Sequence, residues 1–160
     1  MVRLATADDA EQLKSLNKEF NGPDNITVTQ IRDSILNNRQ EIVLVDDENG
    51  SLTGFVCIQL KKSFCYKEYM PEITEVYVRE KHRKRGIATK MISFAEKYCS
   101  QKYPLHSFEI LTGTNNLQAQ SVYSKLGYAR DGELHMAKHP GRLNIHCESD
   151  IIIPENEKDI

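Results

Sequence analysis

The chain contains no tryptophan, and its four cysteines (Cys57, Cys65, Cys99 and Cys147) form no CxxC pair. Scattered single thiols argue against a disulfide framework and a cysteine-based zinc site, and they suit a reducing compartment. Glycine and proline are sparse too, eight and five in 160 residues, and neither clusters into a linker. One domain spanning residues 1–160, with a continuous core, is therefore expected. No apolar run approaches the length of a membrane span. The opening residues, Met1 to Leu13, are acidic and amphipathic without a signal-peptide core, so the chain is expected to stay in the cytoplasm. Net charge is only -2, which supplies no overall attraction to nucleic acid.

What is present is ordinary folded material, 39% apolar and 28% charged. Val2 to Ala5 reads as a short strand. Thr6 with Asp9 resembles a capping box that opens a helix to about Phe20, with Leu13 and Leu16 facing inward. Asn21-Gly22-Pro23-Asp24 breaks it, and Thr27 with Gln30 caps a second helix whose apolar positions are Ile31, Ile35 and Leu36. Glu41–Val45 and Leu52–Leu60, separated by Asp47-Glu48-Asn49-Gly50, predict a hairpin. Ile73 to Val78 is a further strand. Ile87, Met91, Phe94, Ala95 and Tyr98 recur at helical spacing, so a helix is expected from Gly86 to about Cys99. Phe108–Leu111 is a strand, Leu117–Leu126 a helix, Gly127-Tyr128 its stop and the start of another strand, and Leu143–Ile153 at least one more. Helices alternating with strands predict a mixed α/β domain.

The charge is unevenly placed. Lys81, His82, Arg83, Lys84 and Arg85 form a dense basic run between a strand and a helix. A helix start directs free N–H groups and the positive end of its dipole back toward the strand. Gly86 removes a side chain where a ligand would approach, and Ala88 keeps the first turn small. Those are the requirements of a diphosphate site. The spacing matches neither GxxxxGK[ST] nor GxGxxG. By itself the run would equally suit a solvated helix start or a nucleic-acid patch.

Arg83-Lys84-Arg85-Gly86-Ile87-Ala88 fits the pattern [QR]-x-x-G-x-[GA], and Asn116 to Tyr128 fits N-x-x-A-x-x-x-Y-x-x-x-G-[FY] through Asn116, Ala119, Tyr123, Gly127 and Tyr128. Two such segments in this order resemble the GNAT family of N-acetyltransferases over nearly the whole chain. Ala88 in place of a second glycine and Tyr128 in place of phenylalanine are mild departures. The resemblance implies a central, mostly antiparallel, twisted sheet of six to seven strands with four flanking helices. It also implies acetyl-CoA as the acyl donor and direct attack of a primary amine on the thioester. The pyrophosphate would lie on Arg83, Lys84, Arg85, Gly86, Ile87, Ala88 and Thr89. Val76, Tyr77 and Val78 would pair with the pantetheine amides, a backbone N–H near Tyr77 or Val78 would face the oxyanion, and Asn116 would bond the pantetheine arm. Tyr123 would stand near the cofactor sulfur. A tyrosine near pKa 10 is a weak acid toward a thiolate near 8.5, an uphill transfer of roughly 2 kcal/mol, so Tyr123 is expected to act as much by hydrogen bonding as by full proton transfer.

An alkyl amine with a pKa of about 10.4 arrives protonated, so a base is needed. Glu75 is the first candidate, working through water, and Glu72 the reserve. A residue on the strand facing solvent is the competing reading of Glu75. The acceptor end is expected at Phe20 to Asp24 and at the Ser63–Pro71 loop with Glu72. Asp24, Glu68, Glu72 and Glu75 would make it acidic and suited to a small cationic amine such as an aminoglycoside or polyamine. The His82–Thr89 layout resembles, in part, the aminoglycoside 3-N-acetyltransferase branch. A peptide or protein amine is the alternative acceptor, and a homodimer is left open. No nucleic-acid or membrane partner is expected. His135 and His139 would share a strand face next to His146-Cys147, yet no converging ligand set marks a metal site. A non-catalytic acyl-CoA-binding domain would bind the cofactor without transfer. A nucleic-acid module would bind DNA or RNA in a salt-sensitive way without acetyl-CoA.

Overall fold

Five strands lie side by side in chain order: β1 (Val2–Leu4), β2 (Glu41–Glu48), β3 (Ser51–Lys61), β4 (Met70–Val78) and β5 (Glu109–Ile110). The first three pairings are antiparallel and β4 with β5 is parallel. The computed structural model describes residues 1–23 and 25–138. Met1–Ala129 forms one compact unit; in the second, Arg130–Ile160, the described residues 130–138 contain no helix or strand. The expected strand from Tyr128 is therefore absent, and so is one through His135. Leu143–Ile153, Asp24 and His139 lie outside the described residues. The sheet has five strands among the described residues, against six to seven expected.

Four helices flank it, as expected: α1 (Ala10–Asn21), α2 (Val28–Asn37), α3 (Ile87–Lys102) and α4 (Leu117–Lys125). Local chemistry sets their starts. The Asp9 carboxylate accepts the Thr6 N–H at 2.7 Å, and the helix begins through a 3-10 turn at Ala7–Asp9. Thr27 and Gln30 bond reciprocally, Gln30 N–H to Thr27 Oγ1 at 3.2 Å and Thr27 N–H to Gln30 Oε1 at 2.8 Å. Between β2 and β3, Asn49 and Gly50 both take positive φ, 56° and 84°, the geometry that a tight two-residue hairpin requires.

Two apolar layers sandwich the sheet. Ile42, Leu44, Val56, Ile58, Ile73 and Val78 pack against Met91, Ile92, Ala95 and Cys99 of α3. On the other face Leu13 and Leu16 of α1 meet Val45, Leu52, Phe55 and Tyr77, with Ile31 and Ile35 of α2 alongside. Leu36, expected to belong with them, is exposed, because the apolar stripe of α2 is too narrow to bury it. At the near edge, Arg3 clamps Asp9 at 2.7 Å and Asp47 at 2.8 Å. Its guanidinium holds the Asp9 carboxyl below the usual carboxylate range.

One irregularity in β4 governs the site. Cys57 pairs with Glu75 and the next residue, Ile58, pairs with Ile73, so Thr74 is left as an unpaired bulge. Side chains alternate along a regular strand. Here Ile73, Val76 and Val78 all face α3, while Tyr77 faces α1. The bulge thus puts Glu72 and Glu75, three residues apart, on the same face as Tyr77. β4 begins at Met70, so Met70 to Glu72 belong to the strand and not to the expected loop.

Gly54 of β3 stands opposite Val78 of β4, with no room for a side chain. A Cβ there would lie 2.4 Å from the Tyr77 carbonyl oxygen and 3.2 Å from the Val78 Cα. Neither atom belongs to a side chain that can swing aside. Gly54→Ala should lower unfolding stability by about 1–3 kcal/mol, the usual range for overpacking, measured by chemical denaturation. An unchanged midpoint would contradict this packing.

Candidate active site

The basic run does not pass straight from strand to helix, as the sequence suggested. A 3-10 turn at Glu80–His82 intervenes, then Arg83 to Gly86, before α3 begins at Ile87. Side chains pin this loop to the sheet. Arg83 Nε donates to the Val78 carbonyl at 2.9 Å, and its guanidinium lies 5.8 Å from the Tyr77 ring centre. His82 Nδ1 stands 3.2 Å from the Glu48 carboxylate. Lys84 and Gly86 take left-handed conformations, with φ of 62° and 75°. No side chain caps α3 at Gly86, and a Cβ there would meet nothing within 4 Å. The helix start is thus an uncovered cluster of N–H donors beside Arg83 and Lys84, an arrangement that fits a diphosphate.

A cleft of about 460 Å³ opens from this point. It is lined by Val76, Tyr77 and Val78 of β4, by Arg83, Lys84 and Gly86 of the loop, and by Ile87, Ala88 and Thr89 of α3. Asn116 and Tyr123 of the α4 segment complete the opposite wall. Every expected cofactor residue is thereby brought together except Arg85, which is exposed and outside the lining. Among the described residues the edge of β4 here has no strand beside it, since β5 pairs with Glu72 and Ile73. Arg79 N–H donates across to Thr53 on β3 at 2.8 Å. By strand alternation the Tyr77 N–H points the same way, leaving those of Val76 and Val78 toward the open edge. Of the two N–H positions expected, Val78 is the one suitably directed.

Asn116 lines the cleft and also has a structural part. Its Oδ1 accepts the Ala119 N–H at 3.2 Å and caps α4, so the side-chain NH2 is the group left for a ligand. Tyr123 is half-buried and edge-on to Tyr128, ring centres 6.3 Å apart, and burial raises its phenol above the ordinary value.

The carboxylates separate. Glu72 is held by Lys61 at 2.9 Å, and Lys61 also bonds Glu109. Glu75 is half-buried and has no hydrogen-bond or ion-pair partner among the described residues; burial first, and the Glu41 charge second, raise its carboxyl above the usual range. It does not line the cleft, whose wall begins at the next residue, Val76.

The cleft also contains Phe20, expected near the acceptor end, and residues the sequence reading had not selected, Glu19 first among them. Glu19 and Phe20 enter from α1: the Glu19 carboxylate accepts from Tyr77 Oη at 3.2 Å and pairs with Arg79 at 3.0 Å, and Phe20 packs on Tyr77 with ring centres 5.3 Å apart. Nothing local in the sequence marks this contact between segments about 60 residues apart. Ala119 and Val122 also line the wall; they share a helix face with Asn116 and Tyr123, a spacing that was available to read.

Comparison with known proteins agrees with this arrangement. The family model described as Acetyltransferase (GNAT) family matches residues 10–128, and the chain belongs to that family. The N-terminal acetyltransferase A complex catalytic subunit NAA10 of Arabidopsis thaliana is 28% identical over 128 residues, covering 79% of this chain. The chain spans 65% of the length of that relative. Among solved structures, a ribosomal-protein-alanine N-acetyltransferase from Brucella melitensis superposes with a TM-score of 0.74 at 16% identity, over 87% of this chain and 98% of its own. AAC(6')-Iy, solved with a bisubstrate analogue of coenzyme A, gives 0.76 at 17% identity, over 87% and 97%. At those identities the two structures show a shared fold. Among the described residues no helix is long and apolar enough to cross a membrane, and no group of three or more His, Cys, Asp or Glu is placed to hold a metal ion.

Gly86→Ala tests the helix start. A side chain at this φ should cost about 1–2 kcal/mol, seen in thermal denaturation, and should weaken acetyl-CoA binding measured by calorimetry. Unaltered binding would remove the loop as the anion cradle.

Proposed function

We propose that the chain is an acetyl-CoA-dependent N-acetyltransferase that acetylates a primary amine by direct attack. The observation that carries this reading is the convergence, in one cleft, of the uncapped start of α3, the open edge of β4 and the hydroxyl-bearing wall of α4. Acetyl-CoA, when bound, supplies an acetyl group activated as a thioester. Gly86, Ile87 and Ala88 offer backbone N–H groups to its diphosphate, with Arg83 and Lys84 adding positive charge. Arg85, exposed beside them, contributes charge at longer range, and Thr89 sits in the first turn of α3. Val76 and Val78 present peptide groups along the cleft, where an amide chain pairs as a strand would. The Val78 N–H is a fixed donor at the end of that edge, where negative charge is best stabilised.

Glu75 accepts the proton of the incoming ammonium. Its lack of a cationic partner keeps it basic, whereas Lys61 lowers the suitability of Glu72 for that task. Since Glu75 lies beyond the cleft wall, one water completes the path. Tyr123 donates its hydroxyl hydrogen bond to the departing sulfur; burial, by raising its phenol, favours that role over outright proton loss.

For the acceptor we favour a small cationic amine such as an aminoglycoside or polyamine, supported by the unpaired carboxylate of Glu75, with Asp24 and Glu72 as further contacts. A peptide N-terminus is the second reading, favoured by the 28% identical relative that is named as an N-terminal acetyltransferase. Release of free thiol from acetyl-CoA, measured across aminoglycosides, polyamines and peptides, separates these. Binding without release for every acceptor would leave only a non-catalytic acyl-CoA-binding domain. Tyr123→Phe should lower turnover by about 10-fold or more with little change in acetyl-CoA affinity; equal turnover would remove Tyr123 from the mechanism. Glu75→Gln should lower kcat/KM by about 10²-fold or more, and an unchanged rate would remove Glu75 as the base.

A further inference from the structure

The face of the sheet that carries Glu75 continues past the ends of α1 and α2 onto β2. Ile42 and Leu44 face α3 and Val43 faces the other way, so alternation puts Glu41 on the face of Val43, Cys57 and Glu75. Register fixes the spacing. Glu41 stands opposite Gln59 on β3, and Cys57, two residues along β3, stands opposite Glu75 on β4. The two carboxylates therefore sit two strands apart, about 10 Å across the sheet, offset by one pleat. The Thr74 bulge is what brings them to one face.

Glu41 is held in place by neutral groups. Gln59 Nε2 donates to its Oε1 at 3.2 Å, and Ser34 Oγ of α2 lies 3.4 Å from its Oε2. Among the described residues no cation pairs with either Glu41 or Glu75. Three nearby carboxylates are engaged by cations: Glu72 and Glu109 share Lys61, and Glu19 is paired with Arg79. Cys57 lies between the two carboxylates, and burial together with both charges pushes its thiol well above the ordinary range. It stays neutral and offers no compensation.

We propose that Glu41 is a positioning residue of the transfer reaction, acting on the proposed base Glu75 from two strands away. A fixed negative charge facing the base across a half-buried surface makes the protonated form of Glu75 easier to reach. A more basic carboxylate is a better acceptor for an ammonium proton near neutral pH. Gln59 and Ser34 hold Glu41 without neutralising it, which is what such a role requires. The sequence offered no signal for it: Glu41 precedes Glu75 by a helix-free hairpin and belongs to neither motif.

This inference rests on Glu75 being the base, and the experiment separates the two. With Glu75 as base, kcat/KM rises with pH as Glu75 loses its proton. In Glu41→Gln that rise should move to lower pH by roughly 0.5–1 unit, while Glu41→Asp, which keeps the charge, should stay near the parent enzyme. The carboxyl ¹³C titration of Glu75 in the free enzyme should move in the same direction and by a similar amount. Glu75→Gln should abolish the rise. If the rise persists unchanged in Glu75→Gln, the base reading fails. If it vanishes there but neither the profile nor the ¹³C midpoint moves in Glu41→Gln, the role of Glu41 is overturned and the base reading stands.

Discussion

Among the described residues, strand β4 has a partner on both sides only as far as Ile73, and the rest of the site depends on that limit. Up to Ile73 it lies between β3 and β5; beyond it, β3 remains and β5 does not. The Val76 peptide groups and the Val78 N–H are then left for something that pairs as a strand would, the Val78 carbonyl being taken by Arg83. An open strand edge is ordinarily a liability. Here α3 and α4 border it, turning the edge into one wall of an open cleft. The Thr74 bulge at the same point rotates the strand, so the carboxylates fall on one face while Val76 and Val78 keep their packing against α3. Gly54 permits the close approach of β3 that supports this segment from behind.

Charge is arranged around the edge in two regions of opposite sign. Arg83 and Lys84 gather at the start of α3, where the helix dipole adds to them. Among the described residues Glu75 and Glu41 have no cation paired with them, while Glu72, Glu109 and Glu19 are bound to cations. The effect is a basic end suited to a diphosphate and a carboxylate-bearing end suited to proton removal from a cationic amine. Coulomb attraction between exposed charges fades over about 10 Å in salt, so the two ends act on different parts of a long ligand. The Tyr77 ring separates them, with Arg83 on one side and the Glu19 carboxylate bonded to its hydroxyl.

Much of this was legible in the sequence. Both capping pairs, the hairpin and all four helices follow from local chemistry that a short window contains. The loop before α3 and its place at the cleft were legible for the same reason, since Arg83, Gly86 and Ala88 are near one another in sequence and line the same wall. The bulge was not: Ile73 and Val76 are three residues apart, and strict alternation would have assigned them to opposite faces. Glu19 reaches the cleft only because the end of α1 meets Tyr77 of β4, a tertiary contact that no local pattern encodes. The capping of α4 by Asn116 was also available to read, since an asparagine directly before a helix is a common cap. The sixth strand expected from Tyr128 rested on hydrophobic content without a pairing partner, and the chain there is irregular.

The central claim is that coenzyme A lies along the open edge of β4 with its diphosphate at the start of α3. Backbone amide shifts in an ¹⁵N-labelled sample, followed while coenzyme A is added, test it most directly. The account predicts saturating shifts at Val76, Val78, Gly86, Ile87 and Ala88, with Tyr123 moving on the opposite wall. Saturable binding that leaves those amides still, and moves others elsewhere on the sheet, would contradict it.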